Sequence, residues 1–117
     1  MATGDGSSAR GSATKTLTAC ATMLGRWQHA RALLRELTVS HKALSIVLTD
    51  DNKTGNLVIA CLEPISIRSQ ITWEDSELAV DAVQLPDGSE GFMVVDLNSN
   101  VEIRCAAIEV RENVKLY

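Results

Sequence analysis

The stretch that most constrains the fold runs from Gly91 to Val110, GFMVVDLNSNVEIRCAAIEV, and reads as two strands folded back on each other at Leu97-Asn98-Ser99-Asn100. Phe92 and Val94 share one side of the first arm. Val101, Ile103 and Cys105 share one side of the second, with Glu102 and Arg104 on the other, the period of two that a half-buried strand requires. After Ala106-Ala107 the phase slips, so that Ile108 and Val110 become the apolar positions and Glu109 and Arg111 the polar ones. One residue has been inserted into the alternation. The expectation is a β-bulge or sharp bend there, the device by which a small sheet curls or a strand passes from one half of a barrel to the other.

A curled sheet needs something to cover it, and the segment before the strands offers one helix. Met23, Trp27, Ala30, Leu34 and Leu37 follow a four-three-four-three spacing, which predicts a helix from about Thr22 to Val39 with Gln28, Arg31, Arg35 and Glu36 facing water. Ser40-His41-Lys42 would end it with cations near the negative pole of its dipole. Residues 1–16 are mostly Gly, Ser, Ala and Thr and read as a flexible tail, leaving residues 17–117 as a single domain. Beyond the helix, ALSIVLT (Ala43 to Thr49) and NLVIACL (Asn56 to Leu62) make a hairpin across Asp50–Gly55. Pro64 is expected to close the second of these strands. Ile65, Ile67, Ile71 and Trp73 keep one phase in the next, Leu78 to Val83 forms a shorter strand, and Pro86-Asp87-Gly88 turns the chain toward Gly91. The fold class is therefore α+β: one N-terminal helix packed on a curled antiparallel sheet or small, partly open barrel of about five to six strands. A helix followed by a strongly bent meander ending in an Ile-Arg-containing strand is similar in outline to the Sm-like small barrels. That family carries paired Asp/Asn residues in its early strands, absent here, and a glycine where Val101-Glu102-Ile103-Arg104-Cys105 has its cysteine. The likeness reaches the architecture and not membership.

Charge and cysteine content bear on function. The formal net charge of −4 argues against nucleic acid or an anionic membrane as partner, because phosphate binding wants a basic footprint. Arg26, Arg31 and Arg35 would be the residues of a nucleic-acid face, and aromatic content of only 3% denies it stacking platforms. Between Ser69 and Ile103 no Lys or Arg occurs, whereas Glu74, Asp75, Glu77, Asp81, Asp87, Glu90, Asp96 and Glu102 all do. Cys20, Cys61 and Cys105 are odd in number and widely spaced, the pattern of buried thiols in a reducing compartment, so a cytoplasmic location is expected. No run approaches the roughly 20 apolar residues of a membrane helix. Leu17-Thr18-Ala19-Cys20 matches the pattern before a lipidated cysteine, but the apolar stretch of about 7–15 residues that must precede it is missing.

No catalytic, cofactor-binding or metal-binding set emerges. Asp50, Asn52, Thr54 and Gly55 fall on calcium-loop positions, but Cys61 stands where a bidentate glutamate is needed, so an ordinary hairpin turn is expected. His29 and His41 have no zinc-like neighbours. Glu74, Asp75 and Glu77 read as a solvated loop rather than a catalytic carboxylate pair, there being no nucleophile signature or Gly-rich phosphate loop to join them. What remains unexplained is strands that are apolar on both phases, Leu57 to Leu62 and Phe92 to Val95, since one helix covers one face only. The expected function is a non-enzymatic binding module that associates with its own copy, most simply as a two-fold dimer, or with another protein. Val58, Ala60, Leu62, Met93 and Val95 are the expected interface residues. The alternative is a small-molecule-binding or enzymatic barrel with a pocket near Trp73, Glu74 and His41.

Overall fold

The computed structural model describes residues 3–38 and 42–115. Among the described residues one helix, α1 (Thr3–Gly25), precedes seven strands: β1 (Arg31–Thr38), β2 (Ala43–Thr49), β3 (Asn56–Arg68), β4 (Thr72–Trp73), β5 (Leu78–Gln84), β6 (Glu90–Asp96) and β7 (Val101–Val114). All strand pairs are antiparallel, in the order β4-β1-β2-β3-β7-β6-β5, and the sheet curls into a half-barrel with the end of α1 packed on it. The α+β class and the curled sheet are as the alternation requires, with seven strands rather than five to six.

The helix is not where the apolar spacing puts it. It ends at Gly25 rather than beginning at Thr22, and Arg31–Thr38 is an edge-side strand paired to β2. Arg31 and Arg35 accordingly lie exposed on β1, not on a helix. The physical reason is a bulge: the β1–β2 register slips between Leu34 and Glu36, so Ala32, Leu34 and Leu37 fall opposite Leu48, Ile46 and Leu44 on one face of β1. A strand with one extra residue places its apolar side chains two and then three apart, which imitates a helical stripe. Residues 3–16, ahead of the expected helix, form the first turns of α1. His41 lies outside the described residues.

β3 and β7 are the spine, thirteen and fourteen residues long and paired from Asn56↔Val114 to Arg68↔Glu102. Leu57, Ile59 and Cys61 are buried, and Cys61 and Ile59 sit opposite Ile108 and Val110. Beyond Leu62↔Ala107 the inner phase changes on both strands, to Cys105, Ile103 and Val101 on β7. The bend expected at Ala106-Ala107 is thus present, with Glu63 in a left-handed conformation (φ 51°) and the register irregularity falling opposite, between Pro64 and Ser66. Pro64 does not close β3, which continues to Arg68; the bend accommodates a residue that cannot donate to a regular ladder. Gly91 lets the sheet close here, since a Cβ on it would stand 2.6 Å from the Cys105 carbonyl oxygen and 2.8 Å from Leu85.

The concave side holds the core. Cys20, Leu24 and Trp27 from the end of α1 and the turn after it pack with Leu44, Ile46, Leu48, Ile59, Val94 and Ile103 from the sheet. Arg26 and the Trp27 Nε1 both donate to the carboxylate of Glu112 on β7, the latter at 2.9 Å, and Lys53 lies 5.4 Å above the Trp27 ring. This clamp ties the helix end to the β2–β3 turn and the last strand.

Candidate interaction surfaces

The five expected interface residues all lie on the convex side, the phase opposite the core. Val58 faces across to Val47 and Arg111, Ala60 to Ser45 and Glu109, and Leu62 to Ala43 and Ala107. Val58 and Ala60 are half-buried and line a shallow groove of about 260 Å³, with Arg35, Glu36, Glu109, Arg111 and Val114 around them. The Arg111 Nε donates to Glu109 at 2.5 Å. Leu62, at the end of this row, is 39% exposed. Met93 and Val95 sit opposite Arg104 and Glu102 on the first part of β7, whereas Val58 to Leu62 pair with its last part. The bend therefore separates the two groups: they share the convex surface but not one flat patch.

A larger groove opens elsewhere. β5, at one edge of the sheet, is paired neither with the short edge strand β4 nor with β1 beside it, which leaves a seam along the half-barrel. At one end the seam is closed by backbone bonds, His29 N donating to the Ser76 carbonyl at 2.7 Å and Ser76 N to that of Ala30 at 3.1 Å. At the other end it widens into a groove of about 560 Å³ between Leu37 of β1, the Pro64–Ile67 bend of β3, and Leu85 after β5. Lys42, Glu63, Asp87 and Ser89 line its rim. Leu37, Ile65 and Ile67 are 53%, 50% and 41% exposed, a concentration of large apolar side chains at one place on the surface. Sequence reasoning missed this groove because it assigned Leu37 to a helix and ended β3 at Pro64; the available signal was Ile65 and Ile67 flanking a proline bend.

Of the alternative pocket's residues, His41 lies outside the described residues, and the other two have different surroundings. Trp73 is buried, its Nε1 donating to Asp96 Oδ2 at 2.7 Å, and so belongs to the core. Glu74 accepts from Arg31 Nε at 2.9 Å and lines a polar cleft of about 350 Å³ with His29 and Asp50 to Asn52. His29 pairs with Asp75, and both are exposed with left-handed backbones. Among the described residues no group of three or more His, Cys, Asp or Glu side chains could hold a metal ion. Asp50 Oδ1 accepts the Asn52 N–H at 2.9 Å, as an Asx turn does, and Cys61 lies in the core rather than at a calcium site. All three cysteines are free and buried. A hydrogen bond with Cys105, then burial, pushes the Cys61 thiol up, and burial raises Cys20. The same bond lowers Cys105, while Cys61 and Cys20 are held as thiols at neutral pH.

Fold and surfaces together define an α+β half-barrel with an apolar-floored convex groove and a half-open seam. No described helix is long and apolar enough to cross a membrane. Comparison with known protein families, curated proteins and solved structures returns no match.

Proposed function

We propose that the protein is a non-enzymatic interaction domain that associates with a second copy of itself through the convex face of its sheet. The observation that supports this reading is the groove over Val58 and Ala60, where an apolar floor is walled by charges of both signs: Arg35 and Arg111 beside Glu36 and Glu109. A surface of that composition is complementary to itself, because a two-fold rotation can bring the arginines of one copy against the glutamates of the other. Leu62 at the end of the row, and Met93 and Val95 beyond the bend, extend the apolar area toward the roughly 800 Å² per partner of a standard interface. Three free buried thiols suit a reducing, cytoplasmic setting. Size-exclusion chromatography with light scattering at micromolar concentration tests the reading: a dimer is expected, and a clean monomer at every accessible concentration sinks it.

A further inference from the structure

We propose that the open end of the seam between β1 and β5 receives an extended segment of a partner polypeptide, which adds to the free edge of β1 and seats apolar side chains in the groove beside it. This site is distinct from the convex face. Two independent observations meet there. The first is backbone: β4 pairs only with Ala32 and Leu33, the Leu34 N–H reaches the Ile71 carbonyl at 2.7 Å, and past that point no described residue pairs with this edge of β1. The second is the groove, floored by Leu37, Pro64, Ile65, Ile67 and Leu85.

An alkyl chain or small apolar ligand laid in the groove would leave the backbone donors and acceptors of the β1 edge unmatched. An extended peptide supplies both a ladder and alternate side chains, the combination by which strands add to open sheet edges. The bulge at Leu34/Glu36 shortens the usable edge to about the last turn-facing residues of β1, so side-chain burial must carry most of the affinity and the backbone its orientation. Charge narrows the choice of segment. Glu63 and Asp87 outnumber Lys42 at the rim, and Ser89, donating to Asp87 from its N–H at 2.9 Å and from its hydroxyl at 2.5 Å, holds that carboxyl below the usual carboxylate range. The complementary strand is therefore apolar on one face and carries a basic residue.

The probe is a fluorescein-labelled, amidated decapeptide alternating valine and threonine with one lysine at each end, titrated into the full chain by fluorescence anisotropy. The expected result is micromolar binding that falls at least tenfold when alternate peptide amides are N-methylated, at least tenfold in Ile65→Glu or Ile67→Glu, and not at all in Val58→Glu. Circular dichroism on each variant separates a lost site from a lost fold, and Ile65→Glu, at the more exposed position, stands in should Ile67→Glu unfold. Equal binding of the N-methylated peptide, or none to folded wild type at millimolar concentration, overturns the proposal. So does displacement of the labelled peptide by dodecanoate with no discrimination between the two peptides, which would make the groove a small-amphiphile site. Loss of peptide binding in Val58→Glu alone would instead place the peptide on the convex face.

Discussion

Asp96 shows how much one buried carboxylate can organise. It sits where β6 runs into the Leu97–Asn100 turn, 5% exposed, and accepts hydrogen bonds from the Trp73 indole at 2.7 Å, the Glu77 N–H at 3.1 Å, and the Asn98 and Ser99 N–H groups at 2.8 and 3.1 Å. It thus joins β4, the start of β5 and the β6–β7 hairpin through one side chain. Asp96→Ala should lower the unfolding free energy by about 3 kcal/mol, because several donors lose a charged acceptor at once; urea denaturation followed by Trp fluorescence measures it. Glu112 acts at the other side of the fold and gives a pH dependence. Hydrogen bonds from Arg26 and then Trp27 hold its carboxyl below the usual carboxylate range. A depressed folded value stabilises the native state above the unfolded value, near 4.3, and that stabilisation disappears as pH falls through the folded one. Wild type should therefore exceed Glu112→Gln in stability at neutral pH, with the gap closing in acid. Parallel melts at pH 7 and in strong acid decide it, and a gap that is constant with pH contradicts the assignment.

Elements differ in how far they can be read from the chain. The hairpins at Asp50–Gly55 and Leu97–Asn100 were legible because turn chemistry and period-two alternation point the same way, and the bend at Ala106-Ala107 because a phase slip has few other meanings. β1 was not legible. Its residues, RALLRELT, favour helix locally, and only pairing with β2, together with a bulge that spaces Leu34 and Leu37 three apart, makes them a strand. The convex side of β3 could be read as apolar beforehand, but the charged walls over Val58 and Ala60 come from β1 and β7 and depend on register. In α1 the side chains of the described residues reach the core only from Cys20 onward. Leu24→Ala should accordingly cost about 3 kcal/mol. Deleting residues 1–13, mostly Gly, Ser and Ala with little apolar surface to bury, should change stability by less than about 0.5 kcal/mol. Denaturant midpoints of the two proteins test the contrast, and a deletion as damaging as the point substitution would mean that the first turns of α1 are part of the fold.

The whole molecule is elongated, 51 × 28 × 27 Å, with a radius of gyration of 14.5 Å against roughly 13 Å for a globular chain of this length. A helix of 23 residues is about 35 Å long, and α1 joins the described core from Cys20 onward. Self-association through the convex face predicts that Val58→Glu with Val95→Glu yields a folded monomer, read by light scattering and circular dichroism. Retention of the wild-type oligomer by the double variant places the interface elsewhere. The spine also sets the order of events in time. Asn56 pairs with Val114 and Arg68 with Glu102, so β3 and β7 meet only after the intervening chain has closed a long loop. The β2–β3 and β6–β7 hairpins form on a microsecond scale as two ready halves, but their docking into one sheet is non-local and belongs to the millisecond-to-second range. Trp27 and Trp73, both buried in the core that this docking completes, should become buried in this last phase and not before it. Until then the apolar edges of both halves are bare, so the yield of refolding should fall as the chain concentration during that interval rises.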